Sequence, residues 1–246
     1  MKPRSVFLGG IILEGALVII AILISYWRGG EPLLNPIRFD LEGLGLGIAA
    51  TLPMVAYFAF SLSRFGRNIA AFKKIYKLLR EILSRAIIEM PTWQIAVLGM
   101  SAGIGEECLF RGALQPLVEG WTSPLNAILI TGFIFGLLHA LTPAYFILAT
   151  AISIYLGFLA SQTGNLLPPI IAHGLYDVVG FLLLKRLFLE DPLPAGKSAE
   201  EEPADNDGVP EAEETAPETG KAEAEGETGK AEAVEEDPKP SPTPED

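Results

Sequence analysis

Cysteine occurs once, at Cys108, and histidine only twice, at His139 and His173, in a chain of 246 residues. A single thiol rules out an intrachain disulfide and leaves the redox compartment open; Cys108 reads as a small helix-packing residue. Aromatic side chains are missing altogether from residues 190–246, and large aliphatic ones nearly so. Such a segment cannot bury enough apolar surface to offset its ordering entropy, which predicts disorder. Its tandem repeat, "ETGKAEA" at 218 and again at 227, has no apolar face to stack and excludes a solenoid. The shortage of positive charge is also local. Residues 1–189 carry 10 acidic and 14 basic residues, a net +4, whereas 190–246 carry 20 and 4, a net −16. The acidity of the whole chain therefore belongs to the tail, and no nucleic-acid partner is expected.

What the first 189 residues do have is long apolar runs. Residues 5–27 are long enough to cross a bilayer as one helix, too long for a signal peptide, and lack a small-residue cleavage pattern. Residues 44–63 give a second span, and 92–117, 124–141, 143–162 and 167–188 four more. Pro124, Pro143 and the pair Pro168-Pro169 fall at the starts of three of them, where the missing donor does least harm. The stretch 67–90 differs: apolar residues recur at threes and fours with Lys and Arg opposite, the pattern of an interfacial amphipathic helix. Arg64, Arg67, Lys73, Lys74, Lys77, Arg80 and Arg85 all lie between spans two and three. By the positive-inside rule this loop, the N-terminus and the acidic tail are cytoplasmic, in a multi-pass protein of the cell membrane. The expected fold is all-α, a polytopic transmembrane helix bundle of about six spans with one interfacial amphipathic helix.

Ionisable residues inside these spans are costly, a few kcal/mol each near a bilayer centre, and by default mark function. "GIGEECLFRGAL" at 103–114 places Glu106, Glu107 and Arg111 in span three; "FGLLHA" ends span four with His139; "AHGLYD" opens span six with His173 and Asp177. Glu107 and Arg111, four residues apart, share a helix face and can form a buried ion pair. Glu106 points about 100° away and has no partner in its own helix. A lone intramembrane carboxylate such as Glu14 receives no function, and a lone histidine is more often an interhelical hydrogen-bonding residue than a catalyst. Six such residues on three spans ask for more. Two chemistries suit them: a water activated by glutamate and histidine with a second histidine stabilising an oxyanion, or a divalent metal such as zinc held by Glu106, His139 and His173. Both describe hydrolysis of an amide bond. No serine, cysteine or lysine stands out as a nucleophile beside the histidines.

"EECLFR", "FGLLH" and "HGLYD" fit E-E-x-x-x-R, F-x-x-x-H and H-x-x-x-[N/D] in order on successive spans. Over roughly 92–188 the chain thus resembles the CPBP family, the CAAX proteases and bacteriocin-processing enzymes also called Abi intramembrane metalloproteases. The resemblance implies that Glu106 activates water with help from His139, that Glu107 and Arg111 hold the helix in place, and that His173 and Asp177 stabilise the oxyanion. It further implies a peptide or protein substrate, prenylated in the CAAX-type members, and lipid surroundings. Asp177 departs from the asparagine usual in the prenyl endopeptidases: it must be protonated, orient His173, or bind a metal. The implied organisation is two N-terminal spans (1–66), the amphipathic helix (67–90), a catalytic membrane core (91–189) and the tail (190–246). The readings to be weighed against a protease are a transporter or ion-binding protein using the same cluster, opposed by the lack of an inverted repeat, and a non-catalytic immunity-type member of the fold. One tension remains in the pattern. Straight, equally deep helices would hold His139 and His173 more than about 10 Å apart in depth, unless close crossings at Gly132, Gly136 and Gly174 or broken helices intervene.

Overall fold

Proline and short polar side chains open most of the helices, and small residues decide where they touch. The computed structural model describes residues 3–29 and 37–190, so the tail expected to be disordered lies, beyond Glu190, outside the described residues. Those residues form helices and no strands: α1 (Pro3–Trp27), α2 (Leu41–Leu62), α3 (Ala70–Glu89), α4 (Thr92–Glu107), a π-helical segment (Cys108–Leu114), α5 (Gln115–Glu119), α6 (Pro124–Leu138), α7 (Pro143–Thr163) and α8 (Leu167–Glu190). Asp40, Ser123 and Thr142 cap α2, α6 and α7, each accepting a hydrogen bond from a backbone N–H of the first turn. Pro124 and Pro143 occupy first turns as their positions predict. Gly164, at φ +54°, closes α7 in the left-handed conformation that favours glycine.

The outcome is an all-α membrane helix bundle. Four helices (α1, α2, α7 and α8) are long and apolar enough to cross a bilayer. Of the six spans expected, two differ. α6 has 15 residues, about 22 Å of helix against a hydrocarbon core of about 30 Å. The third is one run over 92–119 interrupted by the π-helical segment. Large apolar side chains on the outer faces stay uncovered by protein, among them Ile12, Leu23, Leu52 and Leu138. Tyr26, Trp27, Trp93 and Trp121 are exposed at or near helix ends, where amphipathic rings suit a membrane–water boundary.

α8 is the central element. It packs antiparallel on α4, where a Cβ on Gly103 would come within 2.8 Å of Gly174 backbone atoms and Ile170 O, so only glycine admits this approach. α2 runs alongside α8 in the same direction, Gly47 lying against Ile171 and Phe58 against Gly180. α6 and α7 are antiparallel, with Gly132 beside Ile154 and Gly136 beside Thr150. The expected close crossings at Gly132, Gly136 and Gly174 are all present.

α3 is amphipathic as its periodicity predicts, but its apolar face is covered by protein rather than facing outward. Ile75, Tyr76 and Leu79 are buried in one cluster with Phe58, Leu184 and Phe188 of α2 and α8. Lys185 of α8 donates to the Met90 carbonyl 2.6 Å away, fixing the end of α3 against the bundle. Burying a side chain of this size contributes about 1.5–3 kcal/mol, which outweighs leaving it at a surface.

Candidate active site

Glu107 is fully buried and joins three helices. Its Oε1 accepts from Arg111 Nη1 at 3.1 Å and from His173 Nδ1 at 2.8 Å. Arg111 continues the network into α7, donating through Nη2 to the Ser153 carbonyl at 2.5 Å and to Ser153 Oγ at 2.9 Å. The ion pair expected within span three is therefore present, and it also orients a histidine on another helix. It sits at the entry to the π-helical segment, a local widening of the helix that is rare and often found at functional sites.

Glu106, one residue earlier, faces elsewhere. His139 Nε2 is 3.8 Å from its Oε1 and His173 Nε2 is 3.7 Å from its Oε2; His173 Nε2 is also 3.8 Å from Asp177 Oδ2. Glu106 Oε2 is buried without a hydrogen-bond partner. His139 bonds through Nδ1 to the Phe135 carbonyl at 2.8 Å and stacks on the Phe135 ring at 4.2 Å and 17°. A carbonyl only accepts, so Nδ1 of His139 carries a proton; the Arg-paired Glu107 likewise accepts from Nδ1–H of His173. Both imidazoles consequently turn Nε2 toward Glu106.

The depth mismatch between the histidines is resolved by two local features. α6 is short, and His139, its C-terminal cap, folds its ring back one turn onto Phe135. Phe135 is also 6.1 Å from the His173 ring and so bridges the pair.

Glu106, His139, His173 and Asp177 line one cavity of about 340 Å³. Much of the remaining wall is apolar, including Leu79, Ile82 and Leu83 of α3 and Phe181 and Leu184 of α8. Glu14 of α1, to which its isolation in sequence assigned nothing, lines the same cavity at 8% exposure. No sequence pattern marked it; a carboxylate in the most apolar helix was the available signal.

The donor types at Glu106, His139 and His173 suit zinc. Among the described residues, no group of three or more His, Cys, Asp or Glu is already drawn together at metal-binding distances. The 3.7–3.8 Å separations instead leave room for a water, bonded at ordinary lengths of about 2.8 Å to Glu106 Oε1 and His139 Nε2 together.

Residues 88–179 match the family model described as type II CAAX prenyl endopeptidase Rce1-like. Over that stretch the chain is similar to the Rce1-like family. The match spans the whole constellation from Glu106 to Asp177, so the resemblance carried by the three motifs is shown. The protein YpbD of Bacillus subtilis (strain 168), described as uncharacterized, is 39% identical over 88 residues, covering 35% of this chain and 42% of that protein. No solved structure matches. The Rce1-like segment begins near the end of α3, and α1 and α2 lie outside it.

Proposed function

We propose that this chain is an intramembrane endopeptidase that hydrolyses a peptide bond with a water activated by Glu106. The single observation supporting it most strongly is the convergence of both histidine Nε2 atoms on one carboxylate, at 3.8 and 3.7 Å. In this reading a water bound between Glu106 and His139 gives its proton to Glu106 as its oxygen attacks the scissile carbonyl. His173, with carboxylates on both sides of its ring, works as an imidazolium: it donates Nδ1–H to Glu107 and Nε2–H to the developing oxyanion. Glu106 then passes its proton to the amide nitrogen, the C–N bond breaks, and a carboxylic acid and an amine leave. Glu107, Arg111 and Ser153 act by holding His173 and the helix backbone, and Asp177 balances the charge of the imidazolium. No step is routed through a metal.

The apolar walls favour a substrate whose greasy part lies beside the scissile bond, which suits a prenylated, CAAX-type carboxyl terminus. The topology proposed with it is multi-pass in the cell membrane, with the N-terminus and acidic tail cytoplasmic. The test is cleavage of internally quenched peptides, prenylated and bare, by purified protein in detergent, for wild type and Glu106→Gln and with and without a chelator. Wild type should cleave the prenylated peptide, and the variant should lose a hundredfold or more. Full activity in Glu106→Gln would overturn the assignment. Loss on chelation, restored by zinc, would return a metal to the site.

A further inference from the structure

The described lining of the cavity holds three carboxylates and neither lysine nor arginine. Glu14, Glu106 and Asp177 supply the carboxylates, while Arg111 is spent on Glu107 and Ser153. Glu14 comes from a helix outside the Rce1-like segment, and its Oε2 is buried without a hydrogen-bond partner. Its position is built into the packing of α1 on α4. A Cβ at residue 105 would stand 2.5 Å from Glu14 Oε2 and 2.8 Å from the Glu14 carbonyl, so Gly105, beside the proposed base, is what lets this carboxylate in. Burying an acceptor unpaired is unfavourable, the more so when it is charged. A ligand bringing a donor or a positive charge recovers that loss.

We propose that Glu14 is the amine-binding carboxylate of the site: it accepts the N–H of the scissile amide and holds the ammonium group of the released carboxy-terminal fragment. The inference rests on the endopeptidase reading, in which an amine is the one cationic product. Glu106 gives the nitrogen the proton taken from water, the new carboxylic acid gives the second that makes it an ammonium, and Glu14 contributes only hydrogen bonds and charge. Two neighbouring carboxylates thus divide the work, one transferring the proton and the other receiving the group that accepts it. Apolar walls beside Glu14 favour an amine attached to a hydrophobic residue.

The test uses binding, so it needs no turnover. The probes are the tripeptide Leu-Ile-Leu with a free amino group and the same peptide N-acetylated, titrated into the full chain in detergent at neutral pH. Wild type should bind the free amine about tenfold more tightly. Glu14→Gln should bind both forms alike, with the affinity for the acetylated peptide unchanged, and Glu14→Asp, which keeps the charge on a shorter arm, should retain part of the preference. Glu106→Gln should keep it. Equal binding of the two peptides by wild type, a comparison that needs no variant, would overturn the proposal. So would a preference that survives in Glu14→Gln and disappears in Glu106→Gln, which would give the amine to the base. An amine preference in a protein that cleaves nothing would remove the endopeptidase reading and leave an amine-binding site standing.

Discussion

His173 Nδ1 lies 2.8 Å from Glu107 Oε1, a bond across 66 positions of sequence that orients one site residue by means of another. The local pair that spacing predicted, Glu107 with Arg111, is only half of what Glu107 does. Removing that carboxylate leaves a buried guanidinium held by Ser153 alone and an imidazole without its Nδ1 acceptor.

Glu107→Gln should therefore damage both folding and turnover, whereas Glu106→Gln should damage turnover alone. Breaking a buried ion pair costs about 3–5 kcal/mol. Thermal unfolding of both variants in one detergent checks the difference: a lowered midpoint is expected for Glu107→Gln and little change for Glu106→Gln. Equal destabilisation would refute the division between the two glutamates.

Asp177→Asn should retain at least about a tenth of the wild-type cleavage rate. His173 is oriented by Glu107 at 2.8 Å and not by Asp177, whose nearest oxygen is 3.8 Å away. An asparagine of the same shape should weaken the charge balance around the imidazolium and leave its direction intact. A loss as large as that of Glu106→Gln in the quenched-peptide assay would give Asp177 a direct part in the chemistry.

Gly103→Ala should unfold the bundle or lower its thermal midpoint sharply. The new Cβ would meet Gly174 N at 2.6 Å and Ile170 O at 2.7 Å, and backbone cannot rotate away as a side chain can. Gly9→Ala on α1, with nothing within 4 Å, serves as the matched control and should be neutral or slightly stabilising. Similar midpoints for the two variants would mean that α4 and α8 are less closely packed than described.

Cys108 should resist alkylation in the folded protein and react once it is unfolded in denaturant. It is 2% exposed, in a cluster with Ala21, Phe110 and Phe135. Mass spectrometry after maleimide treatment reads the difference, and full labelling of folded protein would count against the packing of α1 on the π-helical segment.

Much of the bundle was legible because its signals are local. Proline positions and the lengths of apolar runs located helix starts at Pro124, Pro143 and Leu167 within a residue or two. The convergence of Glu106, His139 and His173 was also legible, since each is costly alone in a membrane and is compensated by the others or by water. What stayed hidden depends on tertiary contact. The π-helical turn at Cys108–Leu114 has no distinguishing composition, and the burial of the α3 face required knowing that Phe188 waits for it. Glu14 looked isolated because its neighbours arrive from helices some ninety or more residues later in the chain.

Arg111 donates to Ser153 at two atoms, and Gln115, one turn on, donates to Ser161 Oγ at 2.9 Å. Together these bonds act as an indexing pin: they set the rotation of the 92–119 run about its own axis and hence the bearing of Glu106. α7 supplies none of the motif residues, yet it carries the socket for that pin. A random screen for inactive but well-expressed variants should therefore return hits on the small residues of α7, at Ser153 and Gly157, on a helix that a reading of the motifs alone would regard as plain scaffold.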